Sequence, residues 1–138
     1  MKVTKLCGII IFLLFICHIS QAQTVDITAQ GYIEIYDPEH PSATFDVYVC
    51  LETVDNQYFQ SQYGANPVLS NANTGSHFIN YLFFDDVDEQ EVYNGYRIVL
   101  CAVRISPSSQ TRYGFSNWSA YNGLYPWSPS PIKITAFD

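Results

Sequence analysis

The chain offers few side chains able to do covalent chemistry. Beyond an apolar leader, its histidines are His40 and His77 and its cysteines are Cys50 and Cys101. A hydrolytic site needs a histidine oriented by a carboxylate beside a nucleophile, and neither histidine has such a neighbourhood in sequence. There is no Gly-x-Ser-x-Gly, no phosphate-cradling glycine loop and no His-Glu-x-x-His. Paired carboxylates for glycoside hydrolysis are present only in the sense that acids are plentiful, and a sandwich of this size leaves little room for a cleft. A four-ligand zinc site would have to recruit both histidines and both cysteines with no ligand spacing to guide it. The expectation is a non-catalytic protein with no cofactor and no metal.

Two other constellations can bind. Asp85, Asp86, Asp88, Glu89 and Glu91 form an acidic run. Calcium prefers six to eight oxygen ligands, but the run lacks the Asp-x-Asp-x-Asp-Gly order, so a solvated acidic connection is the plainer reading. Further on, Tyr113, Phe115, Trp118, Tyr121, Tyr125 and Trp127 alternate with Gly114, Asn117, Ser119, Asn122 and Gly123. Flat rings beside amides and hydroxyls bury large areas while losing few rotatable bonds, which suits stacking on a sugar or anchoring a protein contact. The alternative is a minor core folded under a long loop; membrane insertion ranks below both, since only Arg112 is near. Asn117-Trp118-Ser119 is also a glycosylation sequon in a eukaryotic setting.

These groups need a frame. Residues 96–104, Tyr-Arg-Ile-Val-Leu-Cys-Ala-Val-Arg, are the richest branched apolar stretch and read as the central strand, with Tyr96, Ile98, Leu100 and Ala102 on one face and Val99, Cys101 and Val103 on the other. Residues 24–36 alternate Val25, Ile27, Ala29, Ile33 and Ile35 against polar neighbours, and Gly31 on the apolar side marks a bulge or a close crossing. After the proline turn at 37–42, residues 44–54 set Phe45, Val47, Val49 and Leu51 against Asp46, Tyr48, Cys50 and Glu52. Residues 77–84 and 131–137 supply further strands, and a short edge strand is expected near 57–62. Neither repeats nor a helix beyond a turn or two are expected.

Residues 1–22 combine Lys2 and Lys5, an apolar run and Ser20-Gln21-Ala22, the pattern of a secretory signal peptide. A retained anchor would need a longer run, about 20 residues, and lipidation at Cys17 would want a smaller residue than Ile16 before it. One secreted domain, residues 23–138, is therefore expected, with no membrane span. Cleavage leaves Arg97, Arg104, Arg112 and Lys133 against 13 acidic residues, an imbalance that repels nucleic acid. Export makes a Cys50–Cys101 disulfide the default, worth about 3 to 4 kcal/mol by the chain-entropy estimate, with two buried thiols as the alternative. Cys50 shares its face with Asp46 and Glu52, so the bridge is expected on the outer side, between neighbouring strands of one sheet.

Tyr96, Ile98, Leu100 and Ala102, together with Trp127-Ser128-Pro129 leading to Ile132 and Ile134, resemble the sixth and last strands of a fibronectin type III module, and more loosely an immunoglobulin-like sandwich. Residues 75–87 followed by 95–100 also resemble transthyretin-like or Cna-B-like sandwiches. The resemblance implies an all-β fold, a single antiparallel Greek-key β-sandwich of about seven strands. With the aromatic segment, it leads to the expectation of a secreted, non-catalytic module that contacts an extracellular protein or glycan. The alternative is a structural surface or assembly protein whose aromatic loop is buried.

Overall fold

The computed structural model describes residues 22–119 and 131–135. The described chain is all-β apart from one short helix: β1 (Thr24–Ile35), β2 (Thr44–Thr53), β3 (Tyr58–Gln60), β4 (Leu69–Asn73), β5 (Gly75–Asp88), α1 (Glu89–Asn94), β6 (Tyr96–Ser106), β7 (Gln110–Phe115) and β8 (Ile132–Ile134). Three strands form one sheet in the order β5-β1-β8, and a second sheet runs β3-β2-β6-β7 with β4 beside the first half of β2. β6 is interior to its sheet, paired along nearly its whole length with β2 on one side and with β7 on the other.

Period-two alternation drives this arrangement, because each strand has one apolar face to hide. Ile27, Ala29, Ile33 and Ile35 of β1 are buried while Asp26, Gln30 and Tyr32 are not, and β2 hides Phe45, Val47, Val49 and Leu51 in the same way. These residues meet Leu82, Phe84, Ile98, Leu100, Ile132 and Ile134 in a single core to which both sheets contribute. Each such side chain, fully removed from water, contributes roughly 1.5–3 kcal/mol before chain entropy is set against it. The extra residue expected near Gly31 is on the partner strand: pairing jumps from Ala29–Leu82 to Gly31–Ile79.

Gly114 sets how closely the last strand approaches. A Cβ at this position would fall 2.6 Å from Ile132 Cγ2 and 2.7 Å from an Ile134 side-chain carbon, so β8 crosses directly over bare backbone of β7. β8 runs parallel to β1, pairing Ile33 with Ile132 and Ile35 with Ile134. That departs from an all-antiparallel expectation; a parallel pair needs a long connection, and these strands stand near opposite ends of the described chain.

A buried ionic cluster ties the β1–β2 turn to the β6–β7 hairpin. Arg104 Nη1 donates to Asp37 Oδ2 at 2.7 Å, and the guanidinium also donates to the Ser108 carbonyl and hydroxyl oxygens at 2.9 and 3.0 Å. Both charged residues are almost fully buried, so each requires the other. Burial pushes the Asp37 carboxyl up, but hydrogen bonds from Arg104 and His40 outweigh it and hold the group below the ordinary carboxylate range.

Several sequence expectations change in extent. The strand expected at 77–84 runs from Gly75 to Asp88, and the acidic run is no loop: its first part ends β5 and the rest forms α1, with Asp88 as the N-cap accepting from the amides of Gln90 and Glu91. Asp85 and Asp86 form a bulge between the Val25–Val87 and Ile27–Phe84 pairs, where Asp86 takes φ 51. The expected edge strand at 57–62 is β3, and β4 is an additional one. The free edge of β5 is partly covered by Gln62, whose backbone N–H donates to the Phe83 carbonyl while its side-chain oxygen accepts from the Phe83 N–H. Among the described residues no helix is long and apolar enough to cross a membrane.

Candidate functional site: an aromatic face on the five-stranded sheet

The side of β2, β6 and β7 that turns away from the core is ordered in rows. Glu52 of β2 pairs with Arg97 of β6; Cys50 pairs with Val99, which pairs with Phe115 of β7; Tyr48 pairs with Cys101, which pairs with Tyr113. β3 extends the rows, setting Tyr58 beside Glu52 and Gln60 beside Cys50. Tyr113 is 59% exposed, and Phe115 and Trp118 are each 47% exposed, so these rings face solvent. Val99 is buried although it belongs to this outer face and not to the core, in line with its place between Cys50 and Phe115.

Phe115 and Trp118 are three residues apart and would project to opposite faces of a regular strand. A one-residue slip brings them together. Phe115 pairs with Val99, but Ser119 bridges Tyr96, so the 115–119 segment carries one residue more than its partner. Ser116 stabilises the slip, since its hydroxyl oxygen accepts from the Ile98 N–H at 2.8 Å while its own N–H donates to the Ile98 carbonyl at 2.9 Å. Both rings therefore flank one guanidinium, with the Arg97 carbon 4.1 Å from the Phe115 ring centre and 4.6 Å from that of Trp118.

Arg97 is in turn oriented by Glu52, to which its Nε donates at 2.6 Å; Tyr58 donates its hydroxyl to the other carboxylate oxygen at 2.8 Å. Burial raises the Glu52 pKa, but the hydrogen bonds from Arg97 and Tyr58 prevail and lower it, so the carboxylate is charged at neutral pH. The Tyr58 hydroxyl is correspondingly held above its usual value by its bond to Glu52.

Cys50 and Cys101 lie where expected, on the outer face and on neighbouring strands, but the expected bridge between them is not formed: both are free, half-buried thiols. The register explains this. Cys50 opposes Val99 and Cys101 opposes Tyr48, so the pair is diagonal, a relation that spans about 7–8 Å against an upper bridging limit of roughly 7 Å between Cα atoms. Burial, the nearby Glu52 charge and Cys101 push the Cys50 thiol up to about 11, and burial also raises Cys101 against the opposing hydrogen bond with Tyr113. Such thiols are protonated at neutral pH and make poor nucleophiles.

Of the aromatic residues singled out from sequence, Tyr113 and Phe115 stand on β7 instead of in a loop and are joined by Trp118; Tyr121, Tyr125 and Trp127 lie outside the described residues. Asn117 of the sequon is exposed beside Trp118. Glu52, Arg97 and Tyr58 were not singled out, although Arg97, opposite in parity to the core residues of an apolar strand, was a usable signal. The remaining candidates are engaged elsewhere. His40 Nδ1 lies 2.9 Å from Arg104 Nη1 and 3.3 Å from Asp37 Oδ1, and His77 Nε2 lies 2.7 Å from the Asn73 carbonyl oxygen. Asp86 accepts from the Thr24 hydroxyl, and no group of three or more His, Cys, Asp or Glu residues is arranged to hold a metal ion among the described residues. No protein-family model matches the chain, and comparison with curated proteins and with solved structures also gives no match.

Proposed function

We propose that this protein is a secreted, non-catalytic binding module that contacts an extracellular protein or glycan through the outer face of β6 and β7. The observation that carries this reading is the joint exposure of Tyr113, Phe115 and Trp118 on one face, with Arg97 between two of the rings. Exposed aromatics around an arginine are the composition of contact hot spots, and half-exposed rings on a rigid sheet lose little entropy when covered. The leader at residues 1–22 supports export, and the raised thiols and engaged histidines offer no nucleophile–base pair.

The test is loss of binding without loss of fold. Trp118 in a Trp127→Phe background should emit as a solvated indole and be quenched by acrylamide. Hits on a glycan or protein array should disappear in the Phe115→Ala, Trp118→Ala double variant while its far-ultraviolet spectrum is retained. Shielded emission, or a double variant that unfolds, would count against the reading.

A structural assembly role is supported by a separate feature. Tyr32 and Phe78, directly opposed on the other sheet, are about half exposed with ring centres 4.8 Å apart, giving the molecule a second aromatic face. Concentration-dependent self-association in sedimentation, abolished by Tyr32→Ser with Phe78→Ser and indifferent to Trp118→Ala, would favour that role.

A further inference from the structure

Arg97 reaches the aromatic face with its fork partly unused. Its Nε is taken by Glu52, but its two terminal nitrogens make no hydrogen bond to any described residue, and the side chain is 24% exposed. Both Glu52 oxygens are engaged elsewhere, one by Arg97 Nε and the other by the Tyr58 hydroxyl, and neither accepts from the terminal nitrogens. The result is a pair of N–H donors from a fixed guanidinium, set between two half-exposed rings.

From this geometry we infer that Arg97 anchors a single carboxylate on a saccharide, with Phe115 and Trp118 packing against the sugar. The inference rests on the reading of this face as the contact surface and names what it would recognise. A guanidinium fork matches two coplanar oxygens, which a carboxylate supplies and a lone hydroxyl does not. Charge restricts the choice further. Glu52 is close by and the chain has 13 acidic residues against six basic ones, so a doubly charged phosphate or a polyacidic peptide meets repulsion, whereas one carboxylate on an otherwise neutral body meets little. The rings offer flat apolar surfaces, and Tyr113 and Gln60 place a hydroxyl and an amide on the same face, the mixture a sugar with C–H faces and hydroxyl rims requires.

The test follows the Trp118 indole N–H by nuclear magnetic resonance in the full exported protein, assigned through Trp118→Phe. Four probes are titrated: the methyl glycoside of glucuronic acid, its uncharged amide, methyl glucoside, and N-acetyl-glutamate amide as an acidic side chain without a sugar. The uronate is expected to shift the signal saturably, the amide and glucoside to bind at least about tenfold more weakly, and the glutamate derivative likewise. Arg97→Lys, which keeps the charge and loses the fork, should weaken the uronate about tenfold. The ligand comparison needs no variant, so it stands even if Arg97→Lys folds poorly. Equal binding of uronate and amide would overturn the carboxylate anchor while leaving the aromatic face as a contact surface. Equal binding of the glutamate derivative would overturn the saccharide, and no shift with any probe would overturn the inference as a whole. The array result for the Phe115→Ala, Trp118→Ala variant separately decides whether the face binds anything.

Discussion

Glu52 and Arg97 face each other across β2 and β6 at 2.6 Å, on the solvent side of the sheet, and the carboxylate fixes where the guanidinium meets Phe115 and Trp118. A flexible arginine is thereby turned into a fixed part of the face. Glu52→Gln should weaken this charge-assisted bond and lower stability by about 1 to 2 kcal/mol in urea denaturation. It should also broaden the Arg97 Nε–H resonance as the side chain gains freedom. An unchanged denaturation midpoint with a sharp resonance would mean that the pair does not order the arginine.

Acid should act on two carboxylates in sequence. Both have folded-state pKa values below their ordinary 4.5 and 3.8, so the stability contributed by Glu52 is complete above 4.5 and that of Asp37 above 3.8, and each is lost as pH falls through the lower folded value. Asp85, raised chiefly by its hydrogen bond to Asp26, acts in the opposite sense and gains as pH falls. Denaturation midpoints should therefore decline below pH 4.5, and Asp37→Asn should remove the lowest part of that slope. A slope identical in Asp37→Asn would exclude the buried cluster as its source.

At Gly114 the limit is space. Alanine would place a carbon 2.6 Å from Ile132 and 3.2 Å from the Lys133 carbonyl oxygen, so either β7 or β8 must move. The expected destabilisation is about 1 to 3 kcal/mol, read from thermal unfolding. A wild-type melting temperature would show that β8 yields freely.

Thiol chemistry should report the burial of Cys50. Its alkylation by iodoacetamide is expected to keep rising with pH toward about 11, where a model thiol levels off near 9. Nonreducing mass spectrometry of exported protein should recover both cysteines as thiols, since the diagonal register holds them apart. A linked peptide would show that β2 and β6 shift relative to each other to make the bridge.

Much of the fold was legible because strand periodicity is a local property. Ile33, Val47, Val49, Leu51, Tyr96, Ile98 and Leu100, set on the apolar faces of their strands by alternation, are all buried. β7 was missed as a strand for an equally local reason. Its alternation of Thr111, Tyr113 and Phe115 with Arg112 and Gly114 puts the aromatics outside and a glycine inside, inverting the usual pattern, and only the crossing of β8 over Gly114 makes that sensible.

Strand character, the face on which each cysteine lies, the interior place of residues 96–104 and the acidic excess follow from residue order and type, because a side chain's face in a strand depends only on its neighbours' spacing. Register does not. Whether Cys50 opposes Cys101 or Val99 is set by how two strands distant in sequence slide against one another, and a shift of two residues leaves every face unchanged. Likewise, the one-residue slip after Phe115 turns Trp118 to the same side and places both rings on Arg97, a meeting that exists only once β6 and the 115–119 segment are paired.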